Sequence, residues 1–135
     1  MAEPAASSPP SLDEARSWVG HQVDDAGGSG VGQVHGLFVD AGSGEPTWLI
    51  VKQGRFGGSL VAIPLRDCAA VPGRVWISHP REAIRSSPIV DPTRPLLREH
   101  ELTICAHYGI GERVGRAAEV AGRPLASVTS TPAPA

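Results

Sequence analysis

Charge and aromatic rings are both scarce in this chain of 135 residues. Asp, Glu, Lys and Arg make up only 19% of it, against roughly a quarter in an average globular domain. The formal net charge is -2 and the pI about 6.2, so no bulk attraction to nucleic acid or an anionic membrane is expected. Aromatic residues are 4% of the chain, too few to interleave with basic groups as a single-strand nucleic-acid platform requires. Lysine is nearly missing: Lys52 stands alone and the other basic residues are arginines, a bias that reads as genomic composition. No apolar run approaches the roughly 18 residues of a membrane span. The opening residues, MAEPAASSPPS, lack the basic and apolar regions of a secretory signal. The cytoplasm is therefore the expected location, and Cys68 and Cys105 are expected there as two reduced thiols.

Glycine (16 residues) and proline (13) are plentiful, which suits turns and short strands better than helices. The strongest signal runs from Trp48 to Leu65. Trp48–Gln53 has apolar residues on both faces, Leu49 and Val51 on one and Trp48 and Ile50 on the other. Such a strand is buried on both sides. A turn carrying Gly54, Gly57 and Gly58 leads to a second apolar strand, Leu60–Leu65. Pro64 cannot donate to a ladder and is expected at a strand end or edge.

Around this hairpin the chain reads in order. Ser11 caps a short helix, LDEARSW, with Asp13 and Glu14 in its first turn. A short strand spans 21–24 and another spans Gln33–Asp40. In the latter Val34, Leu37 and Val39 break strict alternation, so a bulge near Gly36 is expected. The glycines Gly28, Gly30 and Gly32 resemble a dinucleotide fingerprint only in composition, because a strand rather than a helix follows them. Strands at Cys68–Val71 and Val75–Ser78 flank the turn at Pro72 and Gly73. About six short strands at roughly ten-residue spacing predict a small barrel or sandwich. REAIRSSP gives one or two helical turns, and IVDPTRP an extended connector. Leu96–Tyr108 forms the clearest helix, with Leu97, Glu101, Ile104 and Tyr108 in one stripe and Gly109 as its C-cap. GERVGRAAEVAG predicts a weak second helix.

Taken together, these residues resemble the PRC-barrel family. The likeness runs from about Trp18 to Gly109. It rests on Gly30-Val31-Gly32 with Val34, on Phe38-Val39-Asp40, on Gly44, Pro46 and Trp48, on Gly54–Gly57, and on Val61 with Ile63–Leu65. It continues through Val90-Asp91 to His107-Tyr108-Gly109. The resemblance implies a mainly β fold, a small barrel of about six strands with a C-terminal α-helix, in a stand-alone bacterial protein. The organisation it implies is a disordered tail over 1–10, the barrel domain over 11–91, the C-terminal helix over 92–110, and a weak helix with a disordered tail over 111–135. The family has no shared catalytic motif. It resembles modules in the reaction-centre H subunit and in a ribosome-maturation factor, but this chain has neither the transmembrane helix of the first nor the RNA-related domain of the second.

No catalytic constellation stands out. His100-Glu101 begins like a zinc-protease helix, but Ile104 occupies the second histidine's place. His100 and His107 lie two helical turns, about 10 Å, apart and are expected to be solvated. His21, His35 and His79 are scattered. Asp24, Asp25, Asp40 and Asp67 fall near turns, where carboxylates accept from backbone N–H groups. Arg55, Arg66 and Arg74 could gather at one barrel end. The expected protein has no catalytic, cofactor or metal residues and no cofactor. It is a non-catalytic interaction module that self-associates as a homodimer and docks on a protein partner, with no membrane role. A barrel of some 60 residues buries only about 60% of its unfolded surface, so a helix, a second copy or a partner must cover the outer face at Trp48. Trp48, Arg55, Phe56 and Trp76 are the candidate contacts, with Trp76 the more core-like and Phe56 the more exposed. An RNA- or ribosome-associated factor and a metal protein or enzyme with an unrecognised site are the alternatives.

Overall fold

The computed structural model describes residues 11–54, 58–110 and 120–124. Among these residues eight strands form one sheet: β1 (Gln22–Asp24), β2 (Gly30–Asp40), β3 (Pro46–Gln53), β4 (Leu60–Pro64), β5 (Cys68–Val71), β6 (Arg74–Ile77), β7 (Leu96–Leu97) and β8 (Val120–Pro124). The main path runs β4-β3-β2-β1-β6-β5, with β8 paired to β2 and β7 to β8. The two ends of that path, β4 and β5, are joined by the single 3-10 turn Leu65–Asp67. Ends so tethered force the sheet to curl round on itself. The fold is mainly β with a C-terminal helix, as expected.

The curl gives the sheet an inside and an outside, and β3 faces both. Leu49 and Val51 join an inner core with Val23, Val34, Leu37, Val61, Ile63, Val75 and Ile77. Trp48 and Ile50 join an outer core with Phe38, Ala62, Leu96, Ile104, Cys105 and Tyr108. In β2 the register to β3 shifts between Val34 and Gly36. His35 is thus the extra residue of a bulge, which lets Val34 and Leu37 share the inner face despite their odd spacing. Pro64 ends β4, where its missing N–H costs no ladder bond.

Among the described residues three α-helices complete the fold. Ser11 caps α1 (Leu12–Arg16) by accepting from the Glu14 N–H, and Ala15 and Trp18 close one mouth of the inner core. The short helix α2 (Arg81–Arg85) adds Ile84 to that core. The longer helix α3 (Arg98–Tyr108) lies over the outer core through Glu101, Ile104, Cys105 and Tyr108. Gly109 ends it at φ 69°, a left-handed C-cap that a Cβ would strain.

Two expectations need correction. Leu96–Leu97 is strand rather than the first turn of α3, and Leu97 is exposed instead of lying in the buried stripe. The weak helix expected over 111–122 is a strand at Val120–Gly122, while 111–119 lie outside the described residues. The free edge of β2 explains it. Phe38–Asp40 takes Gly122–Pro124 as an antiparallel partner, and a ladder with a fixed template outweighs weak helical periodicity. Gly122 fits there because a Cβ would lie 3.3 Å from the Val39 carbonyl oxygen.

Candidate functional site

The hairpin β5–β6 is built on a two-residue turn. Pro72 sets φ and Gly73 takes φ 77°. Its pairs are Cys68↔Ile77, Ala69↔Trp76, Ala70↔Val75 and Val71↔Arg74. Strand alternation sends Val75 and Ile77 into the inner core and Arg74 and Trp76 outward. Trp76 is 52% exposed and Val71 43%. Ala69, opposite Trp76, lies on the same outward face.

The far edge of β5 has no partner strand among the described residues. The other end of the path is treated differently. There a bridge from Val61 to Ile89, and a hydrogen bond donated by the Val90 N–H to the Leu60 carbonyl, cover the edge of β4. Strand β5, with sequence CAAV, also lacks the charge, bulge or proline by which open edges are usually blunted.

Next to Trp76 the outward face is polar but neutralised. Arg74 Nη1 lies 3.1 Å from Asp24 Oδ2, and Gln22 Nε2 donates to Asp24 Oδ1 at 3.0 Å. Arg74 is therefore spent on an ion pair rather than on a basic end. Arg66 is exposed and Arg55 lies outside the described residues.

The other tryptophan has the opposite fate. Trp48 is 1% exposed, and its Nε1–H donates to Glu101 Oε2 at 2.8 Å. Its candidacy as a contact residue is corrected accordingly: α3 of the same chain supplies the cover that β3 needs. Of the remaining candidates, Trp76 lies at the surface, the reverse of its more core-like expectation, and Arg55 and Phe56 lie outside the described residues.

The titratable groups are tied up one by one. The Asp25 carboxylate accepts from the N–H groups of Gly27, Ser29 and Arg81. The Ser29 bond, foremost, holds its pKa below the usual carboxylate range. Asp40 accepts from Gly42 and Ser43 N–H groups. These two behave as turn carboxylates. Asp67 does not, since it accepts from His79 Nε2 at 2.8 Å. His107, expected to be solvated, donates to the Ala83 carbonyl at 2.6 Å and packs edge-on against Tyr108. Burial pushes the Cys68 thiol up, and the neighbouring Asp67 charge adds to the shift. A thiol so held is a poor nucleophile at neutral pH. Burial likewise pushes Tyr108 up to about 12. Among the described residues no three His, Cys, Asp or Glu side chains gather to hold a metal, and no helix is long and apolar enough to cross a membrane.

A curled sheet with one helix laid across its outer face defines a small β-barrel module. A family profile described as the PRC-barrel domain matches residues 11–84. The chain belongs to the PRC-barrel domain family. The match ends within α2, so α3 and the β7–β8 pair lie beyond it. No match was found among curated proteins.

Proposed function

We propose that this chain is a non-catalytic interaction module that pairs with a second copy of itself through β5 and the outward face around Trp76, and docks in that form on a larger assembly. One observation carries the reading. Among the described residues, the most exposed aromatic side chain sits beside an uncharged sheet edge that none of their strands pairs with. A solvent-facing tryptophan next to open backbone donors and acceptors is the composition of an association surface. Two β5 strands related by a two-fold axis pair antiparallel and satisfy each other's backbone groups, as an isologous contact requires. The outer core does not compete for this role, because α3 already covers it. We place the module in the cytoplasm, where the free thiols of Cys68 and Cys105 stay reduced.

Light scattering during size-exclusion chromatography, over a range of concentrations, tests the reading. The expected result is a dimer that Val71→Lys and Trp76→Ala each convert to monomer while the circular dichroism spectrum is unchanged. A wild-type chain that stays monomeric at every concentration overturns it, as does a dimer indifferent to both substitutions.

A further inference from the structure

On the far side of β1 from this hairpin, two clefts adjoin at the start of β2. The first, about 390 Å³, is lined by Gly30, Gly54, Gly58 and Ser59 together with Arg81 and Arg85. The second, about 450 Å³, shares Gly30, Val31 and Gly54 with the first and reaches Gln22 and Gln33. The two share residues and form one groove whose floor includes Gly30, Gly32, Gly54 and Gly58. Among the described residues nothing lies within 4 Å of a Cβ built at Gly54, so they leave its main chain uncovered. A ligand can approach such peptide groups closely.

One end of the groove carries two arginines that form no ion pair among the described residues. Arg81 and Arg85 are four residues apart on α2, hence on one side of it. Arg16, Arg74, Arg94 and Arg98 each lie beside a carboxylate. The guanidinium groups of Arg81 and Arg85 make no salt bridge or hydrogen bond among the described residues. Asp25 feels the Arg81 charge, but its oxygens are taken by three backbone N–H groups, one of them that of Arg81 itself. Asp25 thus pins the start of α2 to the β1–β2 turn and fixes where both arginines stand. Glu82 follows Arg81 by one position and points about 100° away round the helix.

We propose that this groove binds an extended acidic segment of a partner protein, with carboxylates on Arg81 and Arg85 and main chain along the glycine floor towards Gln22 and Gln33. The proposal rests on the interaction-module reading and names the chemistry of the docking partner. Paired guanidiniums match carboxylates in fork geometry. The two adjoining volumes, about 390 and 450 Å³, suit a chain better than a lone ion. Among the described residues no aromatic side chain lines either cleft, so these residues offer single-stranded nucleic acid no platform to stack on.

The test is a titration of 15N-labelled protein with capped hexaglutamate at low salt. The expected result is saturable shifts of the Gly30, Gly54 and Gly58 amides, a loss of about tenfold in affinity for the R81Q/R85Q double variant, and no binding of hexaglutamine. Absence of shifts at those glycines overturns the proposal, and so does affinity unchanged by the double substitution. Tighter binding of a thymidine hexanucleotide than of hexaglutamate also overturns it and assigns the groove to phosphates. Light scattering on the wild-type chain used for the titration separates the two readings. A wild type that is monomeric at every concentration yet binds hexaglutamate removes the dimer and keeps the groove, while a wild-type dimer that ignores the peptide does the reverse.

Discussion

The two cores on either side of β3 are built from different chemistry. The inner one is closed by sheet curvature and filled with aliphatic side chains from five strands, with α1 and α2 at its margins. The outer one exists only because α3 lies on it, and it contains Trp48, Tyr108 and Cys105 with the buried Glu101 among them. The buried strand residues of the inner core are all aliphatic and bring no polar side-chain group to satisfy. A helix laid on a sheet face needs something to fix its position, and here the bond from Trp48 Nε1 to Glu101 does so, reinforced by Arg98 at 3.4 Å. The inner core should therefore fail globally and the outer one locally.

The largest effect is expected at Leu49, which is fully buried and paired across the sheet with Leu37 and Ile63. Leu49→Ala removes buried methyl groups and leaves a cavity in a barrel that cannot collapse freely. A loss of about 2–5 kcal/mol is expected, read from urea denaturation, with both cores melting in one transition. Separate transitions would break the comparison.

Glu101→Ala should cost less, about 1–3 kcal/mol, the range for leaving one buried polar partner unsatisfied. Its signature is location. Amide exchange should accelerate along Arg98–Tyr108 while β3 keeps its protection, because the Trp48 N–H loses its acceptor and α3 its tether. Uniform acceleration through β3 would mean that the outer core is not a separate unit.

Much of this division could be read in the sequence. The alternation Trp48-Leu49-Ile50-Val51 states that β3 is covered twice, the odd spacing of Val34 and Leu37 states the bulge, and Gly109 marks the end of α3. The two tryptophans were harder. Trp76 alternates with Val75 and Ile77 and shares its face with Arg74, a signal that places it outside. Trp48 has apolar neighbours on both sides, so sequence alone leaves open whether helix or partner covers it. Glu101 inside an apolar stripe was the clue that a buried donor would meet it. Strand β8 was not legible, because its state depends on the open edge of β2 at Phe38–Asp40 rather than on its own propensity. The Arg81–Arg85 groove also escaped, since it is assembled from glycines of β2 and the β3–β4 connection with a helix some fifty residues on.

Acid should act on the inner core first, through its lid. Asp25 joins the β1–β2 turn to the N–H of Arg81, and α2 carries Ile84 into that core. Its pKa is lowered on folding, chiefly by the Ser29 N–H bond. Its contribution is therefore complete above the unfolded value near 3.8 and is lost as pH falls through the lower folded value. Melting temperature followed against pH should fall more steeply in that window for the wild type than for Asp25→Asn. Equal slopes would show that this carboxylate does not hold the lid.

The smallest effect is kinetic, and it separates the cores without unfolding either. Cys105 is buried beneath α3 in the outer core, whereas Cys68 packs against the inner one with its thiol pKa raised by burial. Alkylation by iodoacetamide should be slow at both in the wild type, at Cys105 for want of access and at Cys68 for want of thiolate. In Glu101→Ala, opening of α3 should speed labelling of Cys105 while Cys68 keeps its wild-type rate. Raising the pH towards 10 should do the opposite, speeding Cys68 more than Cys105 as its thiolate fraction grows, because the helix still bars reagent from the outer core. If both thiols accelerate together under either change, the two faces of β3 open as one body.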